Sequence, residues 1–336
     1  VVDKFDLRKY MRFNSAVRSA TYNEQNKIWS IRLADDETIS CRYLVTAVGL
    51  LSVPTMPRYP GMERFRGRSF HTYDWPREGV ELKGRRVAVI GTGSSGVQVI
   101  SAIAGEVADL TVFQRRPNWC APLHNAPISN EEMIELKRSY HSIFRRCKET
   151  TTGFIHMHDP RKTFEVSREE RLALWEDLYN SPGFGIWLGN FRDVLADEAA
   201  NAELTAFIAD KILSRVKDPS VAEKLIPKDH GFGTRRVPME TNYYEAYNLP
   251  HVHLIDTSET PITEVTEKGI STSVKEFEFD VIVYATGFDA ITGAFDRIDF
   301  VGRGGKSLRD KWVDGPRTTL GVMTCGFPNL IMAGGP

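Results

Sequence analysis

Cysteine is scarce in this chain. Four are scattered among 336 residues, at Cys41, Cys120, Cys147 and Cys325, and none forms a CxxC pair. That spacing signals neither a disulfide framework nor a thiolate metal site, and it suits a reduced, cytoplasmic setting. Long apolar runs are missing too: none approaches the roughly 18–20 residues of a transmembrane helix. Nor is there a surplus of one charge, since the formal net charge is −1. A near-neutral chain is a poor candidate for general binding to nucleic acid or to a membrane surface. What is present is 41% hydrophobic and 26% charged sequence, the balance of a globular protein with a core, long enough for two ordinary domains. No initiator Met stands at Val1, and Pro336 directly follows the apolar run NLIMAGG. A piece of a longer protein is expected.

Alternation of apolar and polar residues predicts strands within Ala16–Arg32, divided by a polar turn at Asn23–Asn26, and a further partner over Thr38–Gly49. Inside that partner, Tyr43–Val48 reads as a buried strand. Three prolines and a glycine in Leu51–Gly61 predict an extended linker. Arg86–Ile90 reads as a strand, Ser94–Ala104 as a helix and Leu110–Phe113 as the next strand, which makes one βαβ unit. From Ser129 to Pro227 the texture is helical. Asn130 is the expected cap of one helix, Ser167 with Glu170 forms a capping box for the next, and Asp218–Pro219 starts another. Strands return at Val252–Ile255, Ile262–Thr266 and Asp280–Tyr284. The runs YLVTAVG and VIVYATG echo each other. The chain is expected to leave one domain near Gly49 and to return to it near Gly287. The fold class is α/β, with a Rossmann-like domain that carries a helical insertion at about 125–228.

The stretch RRVAVIGTGSSGVQVI, Arg85 to Ile100, holds a GxGxxG turn at Gly91, Gly93 and Gly96. The first glycine permits the tight turn, the second lets the backbone approach a pyrophosphate, and the third lets helix and strand pack closely. A strand before the turn and a helix after it satisfy the context such a motif needs. Gly91, Thr92, Gly93, Ser94, Ser95, Gly96, Val97 and Gln98 are therefore the expected dinucleotide contacts. An NAD site carries Asp or Glu at the end of the second strand, to bond a ribose hydroxyl. Here that place holds Arg115 and Arg116. Guanidinium groups suit a 2′-phosphate, so NADP(H) is expected.

Just upstream, FRGRSFHTYDWP has the form FxGxxxHxxxWP, through Phe65, Gly67, His71, Trp75 and Pro76. Together with IGTGSSG, FQRRP, FGTRR and ATGFDAITGAFDRID, it makes the chain similar to the type I Baeyer–Villiger monooxygenases. The resemblance covers essentially the whole chain. It implies FAD and NADPH as cofactors, with O2 and a small-molecule ketone as reactants. One oxygen atom is then inserted beside the carbonyl, giving an ester or lactone by way of a C4a-peroxyflavin. It implies parts of a second, FAD-binding Rossmann-like domain at 1–50 and 285–336, a fingerprint linker at 51–82 and the NADP-binding domain at 83–284. Val17, Ala285, Thr286 and Gly287 join the cofactor contacts on this resemblance. Leu50 and Val48 depart from the family pattern near the flavin, which leaves the ketone open. An N- or S-oxidising flavin enzyme and a catalytically incomplete NADP-binding piece are the alternatives.

In HGFGTRRVPMETNYYE, adjacent arginines stand in a loop flanked by glycines. The resemblance implies that Arg235 lies near the 2′-phosphate, that Arg236 is the catalytic arginine, and that the glycines let the loop move. A fixed cation is what a reaction that develops negative charge on oxygen requires. His71 is expected to couple domains rather than to move protons. His251 and His253, and likewise His156 and His158, lack carboxylate or thiolate partners at ligand spacing, so no metal is expected.

Overall fold

Five short parallel strands carry the glycine turn: β1 (Arg68–His71), β2 (Arg86–Ile90), β3 (Asp109–Gln114), β4 (Val252–Asp256) and β5 (Val281–Tyr284). Their order across the sheet is β4–β3–β2–β5–β1. Both faces of the central strands are covered, and so β2 and β5 read as continuous apolar runs. Alternate residues sort the two faces. Val87 and Val89 pack with Val97, Ile100 and Ile103 of helix α1 (Ser94–Ile103). Ala88, Ile90 and Ile282 pack with Val265 and Ile270 of a small antiparallel sheet built from Ile262–Val265, Gly269–Thr272 and Glu276–Glu278, and with Phe279 just after it.

The computed structural model describes residues 1–336. Contacts divide them into Met56–Gly287, which contains this sheet, and a second unit of Val1–Thr55 with Phe288–Pro336. Between β3 and β4 run the helices α2 (Asn130–Glu149), α3 (Arg168–Asn180), α4 (Glu198–Arg215) and α5 (Pro219–Leu225). The capping box Ser167–Glu170 forms as expected at the start of α3. The cap of α2 is corrected by one residue. Ser129, not Asn130, accepts the Glu132 amide, and the Glu132 carboxylate accepts the Ser129 amide in return. Pro219 opens α5 behind Asp218, where its missing N–H costs nothing.

One strand escaped the sequence: Arg68–His71, inside the stretch given as the fingerprint linker, joins the sheet as β1, in register with β5. Four residues are too few to show an alternation that could be read from sequence. The run Tyr43–Val48 is not a buried strand. Only Leu44–Thr46 is extended into a ladder, its single partner is Leu330–Met332, and Tyr43 and Val45 are more than half exposed. The rest of the second unit is an antiparallel meander, Val17–Asn23, Ile28–Leu33 and Thr38–Cys41, with Asp299–Val301 added parallel at its edge. Its core is Trp29, Phe300, Trp312 and Phe327, and the Trp29 indole donates to the Pro328 carbonyl at 2.9 Å.

Candidate dinucleotide and arginine site

The turn after β2 is shaped by close backbone approach. Gly91 has φ +107°, and a Cβ there would strike the Ala285 carbonyl at the end of β5. A Cβ on Gly96 would fall inside contact distance of the Gly91 carbonyl. Gly93 differs: a Cβ would meet nothing within 4 Å. It is also the N-cap of α1 and has no side chain to cap the first amides. An open, uncapped helix start is a cradle for an anion. The three glycines thus divide into two for packing and one for approach, and this arrangement fits a pyrophosphate. Ser94 and Ser95 are half-buried at the helix start, Val97 faces the core and Gln98 is exposed.

Thr92 lies inside the turn. It is buried, and its hydroxyl donates to the Arg116 carbonyl at 3.0 Å. It therefore ties the turn to the end of β3 and fixes the backbone there. Ala285 is buried, and its amide donates to the Ile90 carbonyl at 2.8 Å. Thr286 and Gly287 follow, half-buried, with Gly287 at φ +86°. His71, at the end of β1, is buried and accepts from the Tyr73 amide at 3.0 Å. Burial lowers its pKa, and a hydrogen bond with the Gly287 backbone only partly offsets this. A neutral imidazole at the point where the chain leaves this unit suits a positioning part.

Arg115 and Arg116 are exposed at the end of β3. Arg235 comes from a remote loop to the same place, because Arg235 and Arg116 share one partner that the sequence did not reveal. Asp229 Oδ2 accepts from Arg235 Nη2 at 3.2 Å and lies 4.0 Å from Arg116 Nη1. Its other oxygen, Oδ1, accepts from His230 Nδ1 at 2.7 Å. The His230 bond, reinforced by the Arg235 charge, holds this carboxyl below the ordinary aspartate value.

Arg236 points elsewhere. It lines a cavity of about 570 Å³ together with Ser94 and Gln98 of α1, and with Phe154, Phe184 and Trp187 of the helical insertion. These aromatic residues were not predicted, since nothing in their local spacing marks them. The loop is held firmly in this conformation. Asn201 donates to the Phe232 carbonyl at 2.9 Å, and the Trp187 indole donates to the Gly233 carbonyl at 3.2 Å. A Cβ on Gly231 would overlap Asn201, so that glycine serves packing here. Beyond Arg236, buried Glu240 accepts from Arg215 Nη1 at 2.8 Å.

Three of the other histidines have structural partners. His251 Nε2 lies 2.8 Å from the Ala104 carbonyl, His253 pairs with Asp109 at 3.1 Å, and His156 Nε2 accepts from the Phe184 amide at 3.1 Å. Val17, given to the flavin by resemblance, is half-buried and paired with Leu33 across the meander. For a flavin these 336 residues offer strand ends such as Gly49, at φ +80°, but no second GxGxxG cradle. No helix is long and apolar enough to cross a membrane.

Comparison with known proteins agrees with this architecture. The family model described as L-lysine 6-monooxygenase/L-ornithine 5-monooxygenase matches residues 3–182. The chain is 50% identical over 340 residues to 2-oxo-Delta(3)-4,5,5-trimethylcyclopentenylacetyl-CoA monooxygenase of Pseudomonas putida, covering 99% of this chain and 62% of that protein. It is 44% identical over 335 residues to cyclopentanone 1,2-monooxygenase of Comamonas sp. (strain NCIMB 9872), covering 99% of this chain and 61% of that protein. The crystal structure of OTEMO in complex with FAD and NADP superposes with a TM-score of 0.97 at 50% identity, over 100% of this chain and 63% of that one. The chain thus spans a little over three-fifths of the length of these relatives. The family-model match extends over more than half of the sequence, and by it the chain belongs to this monooxygenase family, in which its close homologues are the Baeyer–Villiger monooxygenases.

Proposed function

We propose that this chain is the NADPH-binding part, with portions of the flavin-binding part, of a cytoplasmic Baeyer–Villiger monooxygenase that converts a small ketone to an ester or lactone with O2. The observation that carries this reading is the shared cavity. Arg236 and the start of the dinucleotide helix line the same space, and its other walls are apolar for the most part, with Phe154, Phe184 and Trp187 among them. A nicotinamide that follows the pyrophosphate past Ser94 and Gln98 would arrive beside a guanidinium and an apolar surface fit for a ketone. The flavin, when bound, supplies the oxygen-activating redox chemistry. The chain's own residues bind, orient and stabilise charge. The uncapped start of α1 receives the pyrophosphate. Arg115, Arg116 and Arg235 receive the 2′-phosphate. Arg236 stays protonated throughout and sets a positive field where negative charge develops on the carbonyl oxygen, a contribution worth about 2.7–4 kcal/mol for one such donor in a dry site.

The domain reading follows the same lines, with NADP(H) held by 83–284 and flavin contacts, Val17 among them, at 1–50 and 285–336. Oxygen transfer to an amine is the second reading, favoured by the match to the L-lysine 6-monooxygenase/L-ornithine 5-monooxygenase family model. The test is Arg236→Ala in the longer protein, isolated with its flavin. Ketone-dependent ester formation should fall at least a hundredfold while NADPH consumption persists and hydrogen peroxide is released. Ester yield within a few-fold of the unsubstituted enzyme would remove Arg236 from the reaction. N-oxide formation in place of ester by the unsubstituted enzyme would establish the second reading.

A further inference from the structure

Asp229 is an acid placed among cations that are assigned to an anion. Its two oxygens have different tasks. Oδ1 is tethered by His230, whose side chain is only 7% exposed. The rigid ring therefore fixes the direction of the carboxylate. Oδ2 is turned toward both guanidinium groups, at 3.2 Å from Arg235 and 4.0 Å from Arg116. The Arg116 backbone is itself held, through the Thr92 hydroxyl on its carbonyl. Asp229 therefore takes the place and the donors that a phosphate oxygen would take.

We propose that Asp229 is a built-in competitor for the 2′-phosphate of the dinucleotide: it neutralises Arg116 and Arg235 when no cofactor is bound and weakens the hold on the phosphorylated one. The inference rests on the reading of Arg115, Arg116 and Arg235 as the 2′-phosphate site. A phosphate arriving at this pair must take the donors from Oδ2 or settle within a few ångströms of a like charge, and either course costs affinity. All three side chains are about half exposed or more, with relative areas of 45% for Asp229, 51% for Arg235 and 69% for Arg116. The pair can therefore open without disturbing the core. An exposed ion pair is weak, so the competition lowers affinity without abolishing it. It also keeps small anions from occupying two otherwise bare guanidinium groups.

The test needs no flavin and no turnover. Binding of adenosine 2′,5′-bisphosphate and of 5′-AMP to this chain is measured by calorimetry, for the unsubstituted protein and for Asp229→Asn. Asparagine keeps an oxygen for the His230 tether and removes only the charge. The bisphosphate should bind the variant about threefold to tenfold more tightly, 5′-AMP should be unaffected, and the gain should shrink as salt is raised. If the unsubstituted chain fails to prefer the bisphosphate, the 2′-phosphate reading itself falls. If that preference is present but Asp229→Asn binds the bisphosphate equally or more weakly, the phosphate site stands and the competitor is overturned. In the weaker case Asp229 merely holds the arginines in place. Asp229→Ala separates the effects further, because it loses the tether and the charge together. It should tighten bisphosphate binding as well, and if it does not, charge is not the cause.

Discussion

Arg115 ends β3 with its side chain in solvent, at the place where an acid would select the unphosphorylated cofactor. A charge-assisted contact of this kind is worth about 1.5–3 kcal/mol. Arg115→Ala in the longer enzyme should therefore raise the KM for NADPH by tenfold or more and leave that for NADH nearly unchanged. Steady-state kinetics with both cofactors checks this, and equal effects on the two would refute the assignment. The place of Arg115 and Arg116 directly after β3 was legible in the sequence, because the βαβ pattern locates the strand end. Asp229 was not legible. It reaches the same place from a loop far along the chain, and no local pattern distinguishes it from a solvated acid. Thr92 gives the opposite lesson: it falls within the fingerprint, yet its hydroxyl serves the Arg116 carbonyl.

The segment that carries Arg236 into the cavity is fixed to the helical insertion by one buried network. Arg215, near the end of α4, donates to Glu240 at 2.8 Å, to both oxygens of Glu245 at 2.6 and 2.7 Å, and to the Tyr179 hydroxyl of α3 at 2.8 Å. The Glu240 side chain is fully buried, and that guanidinium is the cation paired with it. Arg215→Met would leave Glu240 buried and unpaired, at a cost of about 3–5 kcal/mol. Chemical denaturation should show this as a lowered midpoint. Arg215→Lys should recover only part, because an ammonium cannot present the two parallel donors that Glu245 receives. A midpoint unchanged in Arg215→Met would show that the network carries no such load. At this scale β2, α1 and β3 were legible, since the period changes from strand to helix and back around the glycines. The β1 strand was missed for want of length. The exposure of Tyr43 and Val45 was missed because an apolar run reveals a strand but not how many neighbours it has.

Across the whole molecule, the two units are unequally equipped for cofactors. Met56–Gly287 contains a complete βαβ turn, Arg115, Arg116 and Arg235 gathered at the end of β3, and the cavity with Arg236. Val1–Thr55 with Phe288–Pro336 contains an antiparallel meander with Asp299–Val301 parallel at its edge, and a separate parallel pair, Leu44–Thr46 with Leu330–Met332. A dinucleotide is held chiefly where backbone amides at a helix start meet its pyrophosphate. The first unit offers that arrangement at Gly93, while the second offers strand ends. The 336-residue chain, produced alone, should therefore bind adenosine 2′,5′-bisphosphate and NADP+ but leave purification colourless, without bound FAD. Added NADPH should not be consumed in a ketone-dependent way. Two measurements on one preparation decide the matter: the visible absorbance spectrum, and calorimetric titration with the bisphosphate as the sign that the first unit is folded. Bisphosphate binding without flavin colour is the expected result. A yellow protein with one flavin per chain would mean that the second unit, with Gly49 among its residues, suffices to hold the isoalloxazine and its diphosphate, and would move the flavin site into the residues present.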